Sequence, residues 1–552
     1  MMGTDKQMDV VFLTAAAAPG PRAAPFGAGR VASALKARPE LARRTGIRIV
    51  EGRLGESPRA LADRVLAGKP GIVGLSLYLW NSRFLLEAAA LMKSASPGTI
   101  IVAGGPDASA DPVRLSGKPY IDIVVSGEGE QAMADIVSAA LDGRQLPGPL
   151  IRAPLLDVAS LGSPWLDGTL DAGAWGGAAL ELMRGCPYHC AFCFESKGAA
   201  RLRRFPLELI AKEIKCFEEA GVDEVFVLDP TFNADAKRMA EAVKIFRERG
   251  PSLRYFIELR AELLTPKQAE LLATIDCTVQ IGLQGSDPAV LKLVDRDFEP
   301  ESFARKVGLL DAEGIIYGLD LIYGLPGDTL AGFRKSLDYA LELGPNHLDV
   351  FRLAVLPGTS LADRAGALGI VHDAEAPYLV RSTPRFGAAD LEEAERLADA
   401  VDLLYNKGRA VMWFRPLLEL LRVRPSSLVA SFADFAASSL PSRASMAHRT
   451  IEKLQLDFLA DLFAKKPPAG KAAGARAAFE LVRAAGAWTR ALAEGETTEL
   501  ELGWEPEELL DYAAAGIAEF AAEYPASTRR WTCSPGPDGP RFRKGGAKTK
   551  RS

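Results

Sequence analysis

Residues 179–193 read Ala179-Leu-Glu-Leu-Met-Arg-Gly-Cys186-Pro-Tyr-His-Cys190-Ala-Phe-Cys193. Ala179–Met183 is a short, mainly apolar run of strand length, and the cysteines follow it at once. Three of the chain's six cysteines crowd into this loop, while Cys216, Cys277 and Cys533 are scattered. That is a poor disulfide framework and a good metal-site pattern for a reducing compartment. Three thiolates from one loop can hold three irons of a cubane cluster and leave the fourth iron without a protein ligand. An open metal position belongs to a reactive site rather than a structural one. His189 inside the loop leaves structural zinc as an alternative, and three packed core cysteines are a third reading.

Downstream of the loop, strand and helix patterns alternate to residue 358. Strands are expected at Ala179–Met183, Glu224–Leu228, Leu253–Leu259, Thr278–Leu283, Ile315–Ile322 and Leu348–Leu356, with helices such as Leu207–Ala220 and Ala236–Glu248 between them. Six such units suit an open barrel of parallel strands, a partial (β/α)6 arrangement, better than an eight-fold barrel of ~250 residues.

Upstream, residues 9–142 show the same rhythm. Val10–Thr14, Gly46–Glu51, Gly71–Leu77, Thr99–Ala103 and Tyr120–Ser126 read as strands, and Arg83–Ser94 as a helix with Leu85, Leu86, Ala89 and Met92 on one face. This pattern predicts a Rossmann-like α/β domain whose ligands sit at the carboxyl ends of the strands. The Pro- and Gly-rich residues 143–177 read as a linker. After residue 359 the strand signal fades, and Asp390–Tyr405, Met446–Phe463, Ala473–Ala493 and Pro506–Tyr524 read as amphipathic helices of a C-terminal helical domain. Arg529–Ser552 is basic and rich in Gly and Pro, which predicts a disordered tail, with RNA or phosphate contact as the alternative. The expected domains are therefore 1–142, the linker 143–177, the barrel 178–359, the helical domain 360–528 and the tail 529–552.

With 48% apolar and 25% charged residues and a net charge of −5, the chain of 552 residues has the composition of a globular protein of two to four domains. Nothing in it demands a nucleic-acid partner. The apolar stretch at the N-terminus lacks a basic leader and reads as a buried strand rather than a signal peptide. No run of ~18 apolar residues is present to span a membrane. A cytoplasmic location is expected.

The spacing C-x3-C-x2-C, with Phe192 before the last cysteine, resembles the signature of the radical S-adenosylmethionine (SAM) superfamily. Later segments agree: Asp229-Pro-Thr-Phe-Asn233, Glu258 and Arg260, Gly282-Leu-Gln284-Gly-Ser286, Asp320 through Gly324-Leu-Pro326-Gly327-Asp328, and Leu356-Pro-Gly-Thr359. The resemblance implies a [4Fe–4S] cluster on Cys186, Cys190 and Cys193, with the open iron chelating SAM. It implies SAM-facing roles for Asp229, Glu258, Arg260, Gln284 and Asp320. The first domain is similar to the cobalamin-binding domain that precedes many such modules, on the residues Ser76-Leu-Tyr78-Leu-Trp80-Asn81, Gly104-Gly105-Pro106 and Gly127-Glu128-Gly129-Glu130. These residues would then receive the nucleotide tail and corrin, glycines permitting close backbone approach. The same segments also fit ordinary αβ turns with no ligand. The mutase-type D-x-H-x-x-G motif is missing, since no His precedes His189. The lower face of cobalt is then expected to meet water or a non-histidine side chain, with Tyr78 and Arg83 among the candidates.

No cysteine occurs in residues 1–185 and only Cys533 follows Cys277. This sets aside the tRNA methylthiotransferases, which need a second cluster in the N-terminal domain, and the enzymes with auxiliary C-terminal clusters. The resemblance implies a cobalamin-dependent C-methyltransferase moving a methyl group from SAM to an unactivated or aromatic carbon, tryptophan-like acceptors included, of a small molecule. Alternatives are a cobalamin-linked radical SAM oxidase or cyclase, and an iron–sulfur or cobalamin-binding sensor without turnover. A reductant such as flavodoxin or ferredoxin is the expected protein partner.

Overall fold

The computed structural model describes residues 7–17, 20, 23–195, 201–439, 446–465, 472–512, 516–537 and 539–545. Its first sheet has six parallel strands, β1 (Met8–Ala16), β2 (Thr45–Arg53), β3 (Ile72–Ser76), β4 (Ile100–Gly104), β5 (Ile123–Ser126) and β6 (Leu150–Arg152), in the order 2-1-3-4-5-6. The alternation along each strand separates two apolar layers. Val11, Leu13, Val73, Leu75, Ile101 and Ala103 pack on one face, with Leu85, Ala89 and Met92 of helix Ser82–Ala95. Val10, Phe12, Ile72, Val102, Ile123 and Val125 pack on the other, with Ala28 and Ala32 of helix Phe26–Lys36. Strands buried on both faces read as near-continuous apolar runs, as they do here. The strand order reverses at β1, so the crevice over the carboxyl ends of β1 and β3 is the natural ligand position.

The second sheet is also parallel and six-stranded: β7 (Gly177–Leu180), β8 (Glu224–Val227), β9 (Arg254–Leu259), β10 (Cys277–Gln284), β11 (Ile316–Tyr323) and β12 (His347–Arg352), paired in sequence order. β7 and β12 do not pair with each other, so the barrel is open. The outward residues, for example Tyr255, Ile257 and Leu259, join a core that continues into the C-terminal helices Ala388–Val401, Phe414–Leu421, Pro425–Ser439, His448–Lys465 and Ala472–Glu494.

Two expectations are corrected. The segment 143–177 is not only a linker: β6 extends the first sheet, with Val124, Val125 and Ser126 opposite Leu150, Ile151 and Arg152. Three residues after a Pro-Gly-Pro run are too few to show a period. The expected disordered tail beginning at Arg529 instead carries strands among its described residues. β13 (Thr498–Leu502), β14 (Arg529–Ser534) and β15 (Arg541–Lys544) form an antiparallel sheet. Trp531, Cys533 and Phe542 face a small core with Ala484, Ala487 and Ala491. Basic residues alternate with these apolar ones, and the overall composition hides the alternation. Residue 538 and residues 546–552 of the expected tail lie outside the described residues. A short ribbon, Val371–His372 with Val380–Ser382, adds further strand after residue 359.

Candidate active site

The cysteine loop leaves β7 through Leu182 and Met183, whose N–H groups donate to Asp229 Oδ1 at 2.8 and 3.2 Å. Gly185 turns the chain at φ +98°, a conformation open to glycine. The loop is pinned at its centre: Ala191 N–H donates to the Val294 carbonyl and the Ala191 carbonyl accepts from Leu361 N–H, both at 2.9 Å. Cys186 is buried and its sulfur lies 3.8 Å from Thr231 Oγ1. His189 is exposed. Among the described residues no three His, Cys, Asp or Glu side chains converge on a single-ion cage. The donor set, three thiols on one short loop, fits a cluster in which each thiolate takes its own iron.

Arg260, at the end of β9, reaches this loop. Its guanidinium stacks over the Tyr188 ring at 3.9 Å, its Nη1 lies 3.7 Å from Cys190 Sγ, and its Nη2 pairs with Glu262 at 3.4 Å. Its backbone is held on both sides by Asn233, at 3.0 and 2.9 Å. Arg296, which the sequence reading missed, is buried beside it. It shares Glu262 at 3.5 Å and donates to the Gly282 carbonyl.

The inward face of the barrel brings together Glu258, Gln280, Asp320 and Asp349. Glu258 and Gln280 are neighbours in register, and Gln280 Nε2 donates to Asp320 at 2.6 Å and Asp349 at 3.4 Å. Burial pushes the Asp320 carboxyl up to about 7; the Gln280 bond opposes this, and the charges of Asp349 and Glu258 add to it. Gln284 closes the strand at φ +70° beside a bulge. A non-glycine residue held in that region stores strain, which recurs at functional sites.

A cavity of about 790 Å³ lies between the two sheets. Ser76, Tyr78, Gly104, Gly105 and Gly127 line its first-domain side, and Met183, Arg184, Phe194, Leu228 and Pro230 its barrel side. The glycines differ in role. A methyl group at Gly104 would meet nothing nearer than the Leu75 carbonyl at 3.8 Å, so its bare face opens the cavity. One at Gly105 (φ +97°) would lie 2.6 Å from the Leu77 carbonyl oxygen, and one at Gly127 (φ +107°) 2.9 Å from that of Ala153. These two glycines shape the backbone.

Other expected contacts are placed differently. Asn81 is fully buried and is spent on the Tyr78 N–H and the Ala15 and Ser76 carbonyls. Trp80 is 60% exposed, stacked on Tyr78 at 4.7 Å and outside the cavity lining. Arg83 is exposed and pairs with Glu87. Asp229 is fully buried as a brace of the loop, away from the cavity lining. Glu128 lines the cavity, but its carboxylate accepts from Arg203 at 2.6 and 2.9 Å and from Leu156 N–H at 2.7 Å. Burial raises the Glu128 carboxyl, yet these bonds and Arg184 outweigh it and hold the group below its usual range. Arg184 in turn pairs with Glu130 at 2.8 Å, Glu181 at 3.1 Å and Glu128 at 3.4 Å. Arg30 joins Glu181 at 3.2 Å. This network ties the first domain to the cysteine loop. Apart from Arg184 and Glu181, its partners are far apart in sequence, and no local period connects them.

Residues 180–340 match the family model described as the radical SAM superfamily, and residues 40–137 that of the B12 binding domain. The chain is 28% identical over 347 residues to the cobalamin-dependent radical SAM methyltransferase TokK of Streptomyces tokunonensis, across 54% of this chain and 49% of that one. It is 30% identical over 335 residues to the 2-(S-pantetheinyl)-carbapenam-3-carboxylate methyltransferase of Streptantibioticus cattleyicolor, across 53% and 48%. The chain thus spans about half the length of these curated relatives. In fold it resembles the solved structure of the cobalamin-dependent S-adenosylmethionine radical enzyme OxsB with aqua-cobalamin and SAM bound, at a TM-score of 0.60 and 15% identity, across 84% of this chain and 81% of that one. No helix among the described residues is long and apolar enough to cross a membrane.

Proposed function

From a chain that carries a radical SAM domain behind a B12-binding domain, we propose a cobalamin-dependent radical SAM methyltransferase that places a methyl group on a carbon of a small molecule. The observation that carries the reading is the shared cavity, which joins the carboxyl ends of the first sheet to the cysteine-loop side of the barrel. When bound, cluster, SAM and cobalamin supply the electron, the methyl group and its carrier.

The chain's own residues hold and orient these groups. Cys186, Cys190 and Cys193 would hold three irons, on a loop fixed by Asp229, Val294 and Leu361. Ser76 and the bare face of Gly104 would receive cobalamin against the sheet, with the backbone kept close by Gly105 and Gly127. Tyr78 lines the cavity and would contact cobalamin there; burial raises its phenol above the ordinary value, which keeps it a neutral hydroxyl. Glu258 and Asp320 on the inward face of the barrel, and Gln284 at the end of β10, would be polar contacts for SAM or acceptor, and Asp320 can hold or release a proton near neutral pH. Leu228, Pro230 and Phe194 present apolar surface to the acceptor. The carbapenam relative acts on a small acceptor, in keeping with a small acceptor here. A flavodoxin or ferredoxin would be the reductant.

The test is anaerobic reconstitution with iron, sulfide and cobalamin, then product analysis with SAM and a low-potential reductant. S-adenosylhomocysteine formed only when cobalamin is present supports methyl transfer through it. 5′-Deoxyadenosine alone, with no S-adenosylhomocysteine, replaces this reading with the oxidase or cyclase. Binding without any turnover of SAM leaves the sensor. The Cys186/Cys190/Cys193→Ala triple variant should lose iron and sulfide together.

A further inference from the structure

We propose that Arg260 is a positioning residue for the iron–sulfur centre: it orients the Cys190 sulfur and raises the reduction potential of the cluster held there. The inference rests on the assignment of the cluster to the three cysteines and adds a role for a side chain that touches no other proposed ligand site. Arg260 does not line the shared cavity. Its guanidinium is committed to the cysteine loop, stacked on Tyr188 and directed at Cys190 Sγ.

Three features separate this from an ordinary ion pair. The backbone is anchored by two hydrogen bonds to Asn233, so the side chain starts from a fixed point. Tyr188 lies between Cys186 and Cys190, and the stack sets the path of the guanidinium across that loop. The local charge is also unbalanced: Arg260 and the buried Arg296 share the single carboxylate of Glu262. The Arg260 side chain is 12% exposed, so water screens it poorly. Hydrogen bonds to cluster sulfurs and nearby positive charge favour the more negative, reduced cluster and so raise its potential. Arginine suits the place because its planar fork can stack and donate at once, which a lysine cannot do.

The experiment is a redox titration of the reconstituted holoprotein without SAM, read by electron paramagnetic resonance, with iron and sulfide counted in each sample. Arg260→Gln should keep its iron and shift the midpoint potential to a more negative value. Arg260→Lys, which keeps a charge but not the stack, should shift it less. Glu262→Gln removes the counter-charge, leaves both arginines in place, and should move the potential the opposite way. It also serves as the measurement if the Arg260 variants take up no cluster. A full cluster with the wild-type potential in Arg260→Gln overturns the proposal, as does an unmoved potential in Glu262→Gln where that variant stands in. A wild-type protein that binds no iron overturns the cluster assignment, and the proposal with it.

Discussion

Two adjacent glycines at the end of β4 should fail in opposite ways when given side chains. Gly104 has open space where a Cβ would go, with the nearest atom 3.8 Å away, and it lines the cavity between the domains. Gly104→Val therefore adds its methyls into the space proposed for cobalamin while leaving the backbone unstrained. We expect a near-normal unfolding temperature and at least a tenfold loss of cobalamin affinity, about 1.4 kcal/mol. Gly105 sits at φ 97° and ψ −178°, a region essentially restricted to glycine, where another residue costs roughly 1–3 kcal/mol. A Cβ there would also approach the Leu77 oxygen at 2.6 Å and nitrogen at 2.9 Å, and both are backbone atoms of the neighbouring turn that cannot swing aside. Gly105→Ala should thus destabilise the first domain by roughly 2 kcal/mol or more. Both variants should keep the iron–sulfur cluster, which belongs to the other sheet. Thermal unfolding of the cobalamin-free protein reads stability, and absorbance titration with hydroxocobalamin reads binding. Wild-type cobalamin binding by Gly104→Val, or wild-type stability of Gly105→Ala, would refute the division of roles drawn from their surroundings.

Asp229 gives a pH prediction. Burial raises its carboxyl from 3.8 to about 7, against the lowering effect of the Leu182 and Met183 N–H bonds. Between those values the folded protein holds a proton that the unfolded chain has released, so stability falls as pH rises from about 4 to 7 and is level above. About three units at ~1.4 kcal/mol each set an upper limit near ~4 kcal/mol. Asp229→Asn keeps an acceptor for both N–H groups and should flatten this slope in denaturant midpoints taken from pH 5 to 8; a parallel wild-type slope speaks against it. Removing Arg184 leaves Glu130 without its ion partner in the seam, while Glu128 keeps Arg203 and Glu181 keeps Arg30. Arg184→Met should cost roughly 3 kcal/mol and speed proteolytic cleavage between the domains, partly restored by adding Glu130→Leu. No histidine precedes His189, so if cobalamin lies against the sheet with its nucleotide tail extended and its own base detached, its reduced paramagnetic state in the protein should show no nitrogen splitting on the cobalt hyperfine lines.

The amino-acid order alone reveals whatever depends on near neighbours along the chain. The C-x3-C-x2-C spacing defines the thiol loop, because three donors within one short loop cannot be far apart in any fold. The alternation of apolar runs with helical periods located eleven of the twelve strands of the two parallel sheets, since burial on both faces writes a continuous apolar run. The two-residue repeat of strand side chains also led to the expectation that Glu258 and Arg260 share a side, but the strand ends at Leu259. Which groups those side chains bond is set by packing between segments distant in the chain. Asp229 and Asn81 carry the same functional groups as a ligand contact would, but packing turned them to backbone N–H and C=O groups that burial had left to be satisfied. Arg260 lies just past the end of β9, two residues after Glu258, and reaches the cysteine loop. The ion network that joins the domains links Arg203 to Glu128 and Arg184 to Glu130, pairs that no local period connects. At β6 and in the sheet of β13–β15 the local signal is a few residues long, and the partner strands supply the pairing that composition could not reveal.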